Sequence, residues 1–148
     1  MKSEPLVYSI WDLKRDKITC WDGVRNYQAR NFMRDKMKIG DGVLFYHSNT
    51  EPVGIAGEAK IVKTAYPDYT AWDTHDPHYD PKSVQTKPTW FMVDVQFVRL
   101  CRKVISLKAL RAIDTLNEME VLKRGSRLSV QPVTALEWQC IMKLPEWV

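Results

Sequence analysis

The chain has 148 residues, 45% of them apolar and 27% charged, with a net charge of +4 and a pI near 9.0. A chain of that size suits one domain with one core, its composition is that of a globular protein, and no apolar run approaches the ~20 residues of a membrane span. The mild basic balance permits a nucleic-acid partner without demanding one, because strong electrostatic binders carry denser clusters.

In chain order, Ser9 to Leu13 reads as the start of a short helix, with Ser9 as N-cap and Asp12 in the first turn. Asn26 to Met37 reads as a second helix, ended by the Gly40-Asp41-Gly42 turn. Val43 to Ser48 is a strand, and Gly54 to Thr64 another; the small residues Gly54, Ala56 and Gly57 suggest a bulge or a close approach to the backbone. Tyr66 to Pro88 holds four of the eight prolines and is expected to be a long polar loop with one helical turn near Thr70. Trp90 to Arg99 alternates clearly enough to be the central strand. A helix should start at Ser106, with a further turn near Met119. Leu128 to Val133 is expected to be a short strand ended by Pro132, and Thr134 to Glu137 is a capping box opening a last helix. No repeat or low-complexity linker interrupts this order. The expected fold is α+β, a curled mixed sheet of about five to six strands with short helices packed outside.

One stretch carries most of the chemistry. Trp21-Asp22-Gly23-Val24-Arg25-Asn26-Tyr27-Gln28-Ala29-Arg30-Asn31 gathers a large aromatic plate, two arginines and several amides around one glycine. Flat rings stack on bases, while amides and guanidinium groups read ring edges and phosphates. Trp21 is read as a stacking plate worth about 1–3 kcal/mol, and its loss is expected to abolish binding and spare the fold. The competing reading is a core tryptophan. Asn26 and Arg30 are four apart and share a helix face, and Arg25 and Arg30 suit phosphate. Asn26 is equally an N-cap, and the arginines equally surface partners of Asp22 or Asp35. Tyr46 and Ser48 share a strand face, with Tyr46 a second cage wall or a core residue. Arg127, Ser129 and Gln131 alternate with apolar neighbours and are candidate lining groups. Trp72 and Trp90 are candidates for further aromatic wall.

Other constellations are weaker. Cys20, Cys101 and Cys140 are odd in number with no CxxC spacing, which argues against a disulfide framework or zinc knuckle and for a reducing compartment, cytoplasmic or nuclear. Lys2, Glu4 and Pro5 stand where a secretion signal would be apolar. His75 and His78 lie on a proline-broken loop that fixes no ligand geometry. No nucleophile elbow, P-loop or paired carboxylates point to catalysis, so no enzyme, metal or cofactor is expected.

The segments Met1 to Pro5, Trp21 to Asn31, Leu44 to Ser48, Tyr79 to Ser83, Trp90 to Val95 and Arg124 to Val133 together resemble the EVE domain, in order and from the first residue almost to the last. The resemblance implies a single PUA-like domain over residues 1–148, a pseudobarrel related to YTH domains, which hold a methylated adenine in an aromatic cage. It further implies a reader of modified bases, with modified cytosine (5-methyl or 5-hydroxymethyl) in DNA the favoured ligand. Lys2 and Ser3 join the site through this resemblance, since the matching segment borders the pocket in YTH relatives. Family members carry a few more residues before the Lys-Ser-Glu-Pro motif, so a short first strand is expected. The expected partner is nucleic acid, not a membrane, engaged by a monomer. An RNA reader of the same fold, an enzyme using His47 or Asp94 as base, and a peptide or metabolite module are the alternatives.

Overall fold

Two apolar cores lie on opposite faces of one curled sheet, and the computed structural model describes residues 1–148. The strands are β1 (Lys2–Ser3), β2 (Ile18–Cys20), β3 (Gly42–His47), β4 (Gly54–Pro67) and β5 (Phe91–Ser106), in the order β1-β3-β4-β5-β2. β1 runs parallel to β3, with Lys2 opposite Tyr46, and the remaining neighbours are antiparallel. The pairing of β4 with β5 shifts register at four places. Each bulge bends its strand and increases the local twist, so the sheet curls instead of lying flat. Gly57 stands at one of these shifts, and a Cβ there would come within 2.6 Å of Ile10 Cγ1 and 2.7 Å of the Arg99 carbonyl. The small residues expected to admit a close approach do so for the first helix.

Four helices cover the sheet: α1 (Ile10–Asp16), α2 (Tyr27–Asp35), α3 (Leu107–Arg111) and α4 (Ala135–Met142). All four starts follow from local chemistry that the sequence displays, with the Ser106 hydroxyl accepting from the Ala109 amide on α3. Ser9 and Asp12 form a reciprocal capping box on α1, Thr134 and Glu137 do the same on α4, and the Asn26 side chain accepts from the Ala29 amide on α2. Single helical turns follow at Tyr69–Trp72, Asp114–Leu116 and Glu120–Leu122.

β3 alternates between the two cores. Val43 and Phe45 face the core that α1 and α2 cover with Ile10, Leu13, Ala29 and Met33. Leu44 and Tyr46 face the other, with Leu110, Leu116, Ile141 and Trp147. Burying each large side chain of this kind contributes roughly 1.5–3 kcal/mol.

The α+β class holds, but the strands are not quite those expected. β1 and β2 are two and three residues long, too short to show a period. β4 and β5 run to Pro67 and Ser106, beyond the expected ends, because bulges reset the alternation. Leu128 to Val133 is not a strand. The Gln131 side-chain amide Nε2 folds back onto the Leu128 carbonyl (2.8 Å), and one bond from the Lys2 backbone amide to the Ser129 carbonyl (2.7 Å) replaces a ladder.

Candidate nucleic-acid interface

The chain leaves β2 at Trp21, whose amide donates to the Val93 carbonyl of β5 (2.7 Å), and turns at Gly23. Gly23 has φ +75°, a conformation other residues avoid, and the His78 ring lies 2.6 Å from where a Cβ would stand. The turn is clamped from below by Asp68, whose side chain is wholly buried. The Gly23 amide (2.8 Å) and the Arg25 guanidinium (2.9 Å) both donate to Asp68 Oδ2. Thr70 donates to Oδ1 through its amide and its hydroxyl. Burial pushes the Asp68 carboxyl up, but the bonds from Thr70, Arg25 and Gly23 outweigh it and hold its pKa below the ordinary value. Arg25 also donates to the His78 carbonyl (2.9 Å) and to Thr70 Oγ1 (3.2 Å). The long polar loop therefore fixes the shape of the Trp21–Arg25 turn.

A cleft of about 440 Å³ opens beside this turn. Lys2 and Ser3 of β1, Val7 and Tyr8 after it, the Thr19–Val24 stretch, His78 and Ser129 line it. Trp21 is only 9% exposed, meets Phe45 edge-to-face at 5.5 Å and belongs to the first core while contributing to the cleft wall. Lys2, Asp22 and Ser129 line this cleft, and no other residue bonds the Asp22 carboxylate or the Ser129 hydroxyl. Lys2 lies opposite Tyr46 in the sheet, so its side chain leaves on the second-core face, near the Glu120 charge. Burial, then the neighbouring Asp68 charge, raises the Asp22 pKa above the ordinary value, and burial lowers that of Lys2. The cleft thus carries a hydroxyl and a carboxylate that no other residue bonds, next to an indole and two valines.

Of the expected site residues, Lys2, Ser3, Trp21 and Ser129 meet here. The Ser3 hydroxyl is taken up by the Tyr8 carbonyl (2.7 Å). Five others gather beside α2 and outside this cleft. Asn26 caps the helix, and Arg25 is held by the clamp instead of by Asp22 or Asp35. Arg30 donates to the Thr89 carbonyl (2.8 Å) and to Asn31 Oδ1 (2.8 Å from Nη2) and covers the Tyr27 ring at 4.8 Å. Trp90, 5% exposed, donates to Asp80 (2.7 Å) and packs against Tyr27 at 4.9 Å. Tyr46 faces the second core, so it stands across the sheet from Trp21 and cannot be its opposing wall. Gln131 lies with Tyr46 along a smaller recess of about 30 Å³. Ser48 follows β3, its amide bonded to the Ser3 carbonyl (3.0 Å). Arg127 is exposed and makes no bond within the chain. Trp72 donates to Ser83 Oγ (3.3 Å).

Sequence reasoning passed over Asp22 and His78 as site residues. Asp22 sits inside the motif and was legible there; His78 arrives from a loop with no local signal. The two candidate bases are both engaged: buried His47 accepts from the Ile10 amide (3.1 Å) and is held toward its neutral form by burial, and Asp94 accepts from Tyr66. No group of three or more His, Cys, Asp or Glu side chains is placed to hold a metal ion. The largest groove, about 460 Å³ between Phe32, Met37 and Trp138, contains Gln131 but none of the other expected site residues.

Comparison with known proteins agrees with this picture of the fold. The EVE domain family matches residues 1–144. Thymocyte nuclear protein 1 of Homo sapiens is 46% identical over 164 aligned residues, covering 99% of this chain and 72% of that protein. A crystal structure from Pseudomonas syringae superposes with a TM-score of 0.92 at 48% identity, covering 96% of this chain and 95% of that one. The human THYN1 protein in complex with DNA containing 5-methylcytosine superposes with a TM-score of 0.89 at 47% identity, covering 96% and 93%. The α+β sheet is therefore a PUA-like fold, shared along nearly the whole chain.

Proposed function

The chain belongs to the EVE domain family, and from that premise we propose that it binds DNA carrying a modified cytosine by drawing the base out of the helix into the Trp21 cleft. The observation that carries the reading is the uncommitted polar set beside Trp21. A cytosine edge offers an amino donor and two acceptors. The Asp22 carboxylate suits the amino group, and the Ser129 hydroxyl suits an acceptor. Thymine presents a carbonyl where cytosine has its amino group, so an ionised carboxylate repels it. The indole supplies stacking, and Val7 and Val24 supply apolar contact for a methyl group. Extruding a base costs a few kcal/mol, which stacking worth about 1–3 kcal/mol partly offsets. One methyl group adds only about 1–3 kcal/mol of preference, so selectivity is modest. Arg127, exposed and without a partner in the chain, suits phosphate.

The test is binding to matched duplexes carrying cytosine, 5-methylcytosine, 5-hydroxymethylcytosine or thymine, at two salt concentrations, with RNA of the same sequence alongside. Tighter binding to one modified duplex, weaker but still selective at high salt, is expected. Asp22→Asn should narrow the gap between 5-methylcytosine and thymine while leaving the gap between methylated and plain cytosine. Equal, salt-labile binding to every duplex would leave only charge at work, and a preference for the RNA would transfer the reading to that partner.

A further inference from the structure

We propose that the turn at Leu6 and Val7 is a wedge that enters the base stack at the place the extruded base leaves. The proposal rests on the base-extruding reading above. Leu6 is 102% exposed and Val7 77%, side by side, as exposed as residues of an extended peptide. Single apolar residues on a surface need no explanation. Two adjacent branched ones on the rim of a binding cleft do.

Their turn cannot fold back to hide them. The amides of Val7 and Tyr8 both donate to the Glu4 carbonyl (2.9 Å each), and the Ser3 hydroxyl donates to the Tyr8 carbonyl (2.7 Å). Pro5 fixes its own backbone angle between them. β1 anchors the turn on one side and the Ser9 cap of α1 on the other. The segment is a short rigid loop that presents two apolar side chains outward.

Its place in the molecule says what it meets. Val7 lines the Trp21 cleft, and Leu6 precedes it in the same turn, fully exposed and beside the lining rather than part of it. The net charge of +4 and the exposed, unpaired Arg127, two residues from the cleft residue Ser129, suit a polyanion rather than an apolar protein surface. A duplex that gives up one base opens a gap between two stacked neighbours. Apolar side chains such as leucine fill gaps of that kind and replace part of the lost stacking. The wedge and the cleft then act together: one holds the base out, the other keeps the helix from closing behind it.

The experiment compares the full chain with Leu6→Ser and Leu6→Met on two probes: a duplex with one 5-methylcytosine, and the same modified strand alone. A single strand has no stack to reseal, so the wedge matters only for the duplex. Leu6→Ser should weaken duplex binding on the order of tenfold and leave single-strand binding unchanged, with Leu6→Met restoring the duplex. A 2-aminopurine beside the modified base should brighten with the parent chain and less with Leu6→Ser. Because Leu6 touches nothing in the fold, its melting temperature serves as a control that should not move. Selective duplex binding that Leu6→Ser leaves intact would overturn the wedge while sparing the cleft. Loss of modified-base preference in the parent chain itself would overturn both.

Discussion

At the scale of single residues, Trp21 carries two duties. Its indole fills the first core against Phe45, and the same ring forms part of the cleft wall. Trp21→Ala therefore cannot leave the fold untouched, contrary to what the motif suggests when read alone. Truncating a buried aromatic costs about 3–5 kcal/mol, so the expected outcome is a large drop in the denaturant midpoint together with lost binding. Trp21→Phe keeps a ring in the core and separates the duties. Unfolding curves near the parent's with weakened binding would assign the stacking role, whereas parent-like binding would make the indole a purely structural wall. Asp22 beside it is the opposite kind of residue, exposed and with a carboxylate that no other residue bonds.

At the scale of elements, the clamp between the Trp21–Arg25 turn and the loop from Asp68 to Asp80 is what gives the cleft its shape. The folded pKa of Asp68 lies below its unfolded value of about 3.9. Its contribution to stability is therefore complete above the unfolded pKa and disappears as pH falls through the folded one. His47, also lowered in the folded state, loses its contribution over a higher range, beginning near its unfolded value of about 6.5. Denaturation measured from neutral pH downward should show two declines. Asp68→Asn should reduce the lower one, which other lowered carboxylates share, and reduce stability at neutral pH, whereas an unchanged acid slope would discount the clamp. The same elements mark how far the sequence reaches. Ser9 with Asp12, Thr134 with Glu137, and Asn26 were legible because caps act over three or four residues. The alternation of β3 was legible for the same reason. β2 was not, since its partner stands far away in the chain, and a short β1 was expected only through the family resemblance. Nor was the clamp: Gly23 and Asp68 are 45 residues apart, and no spacing announces a buried carboxylate aimed at a turn. Of the cleft, the motif pointed to Trp21, and Ser129 was named on a strand alternation that the structure does not contain. Arg25 and Arg30 looked free because their partners come from that distant loop and from Thr89.

At the scale of the whole molecule, β3 decides how the protein comes apart. Its successive side chains belong alternately to the two cores, so neither core can open without exposing the back of the other. There is no seam along which half the chain could melt while the rest persists. Amide hydrogen exchange should then find the protons of Leu44 and Phe45 among the most protected, released only by global unfolding and at the free energy that denaturant titration returns. A lower exchange free energy in β3 than in β5 would mean that the cores part separately. Cooperativity of this kind has an evolutionary side: a substitution under α4 is felt beneath α1, which constrains sequence drift at sites remote from the cleft.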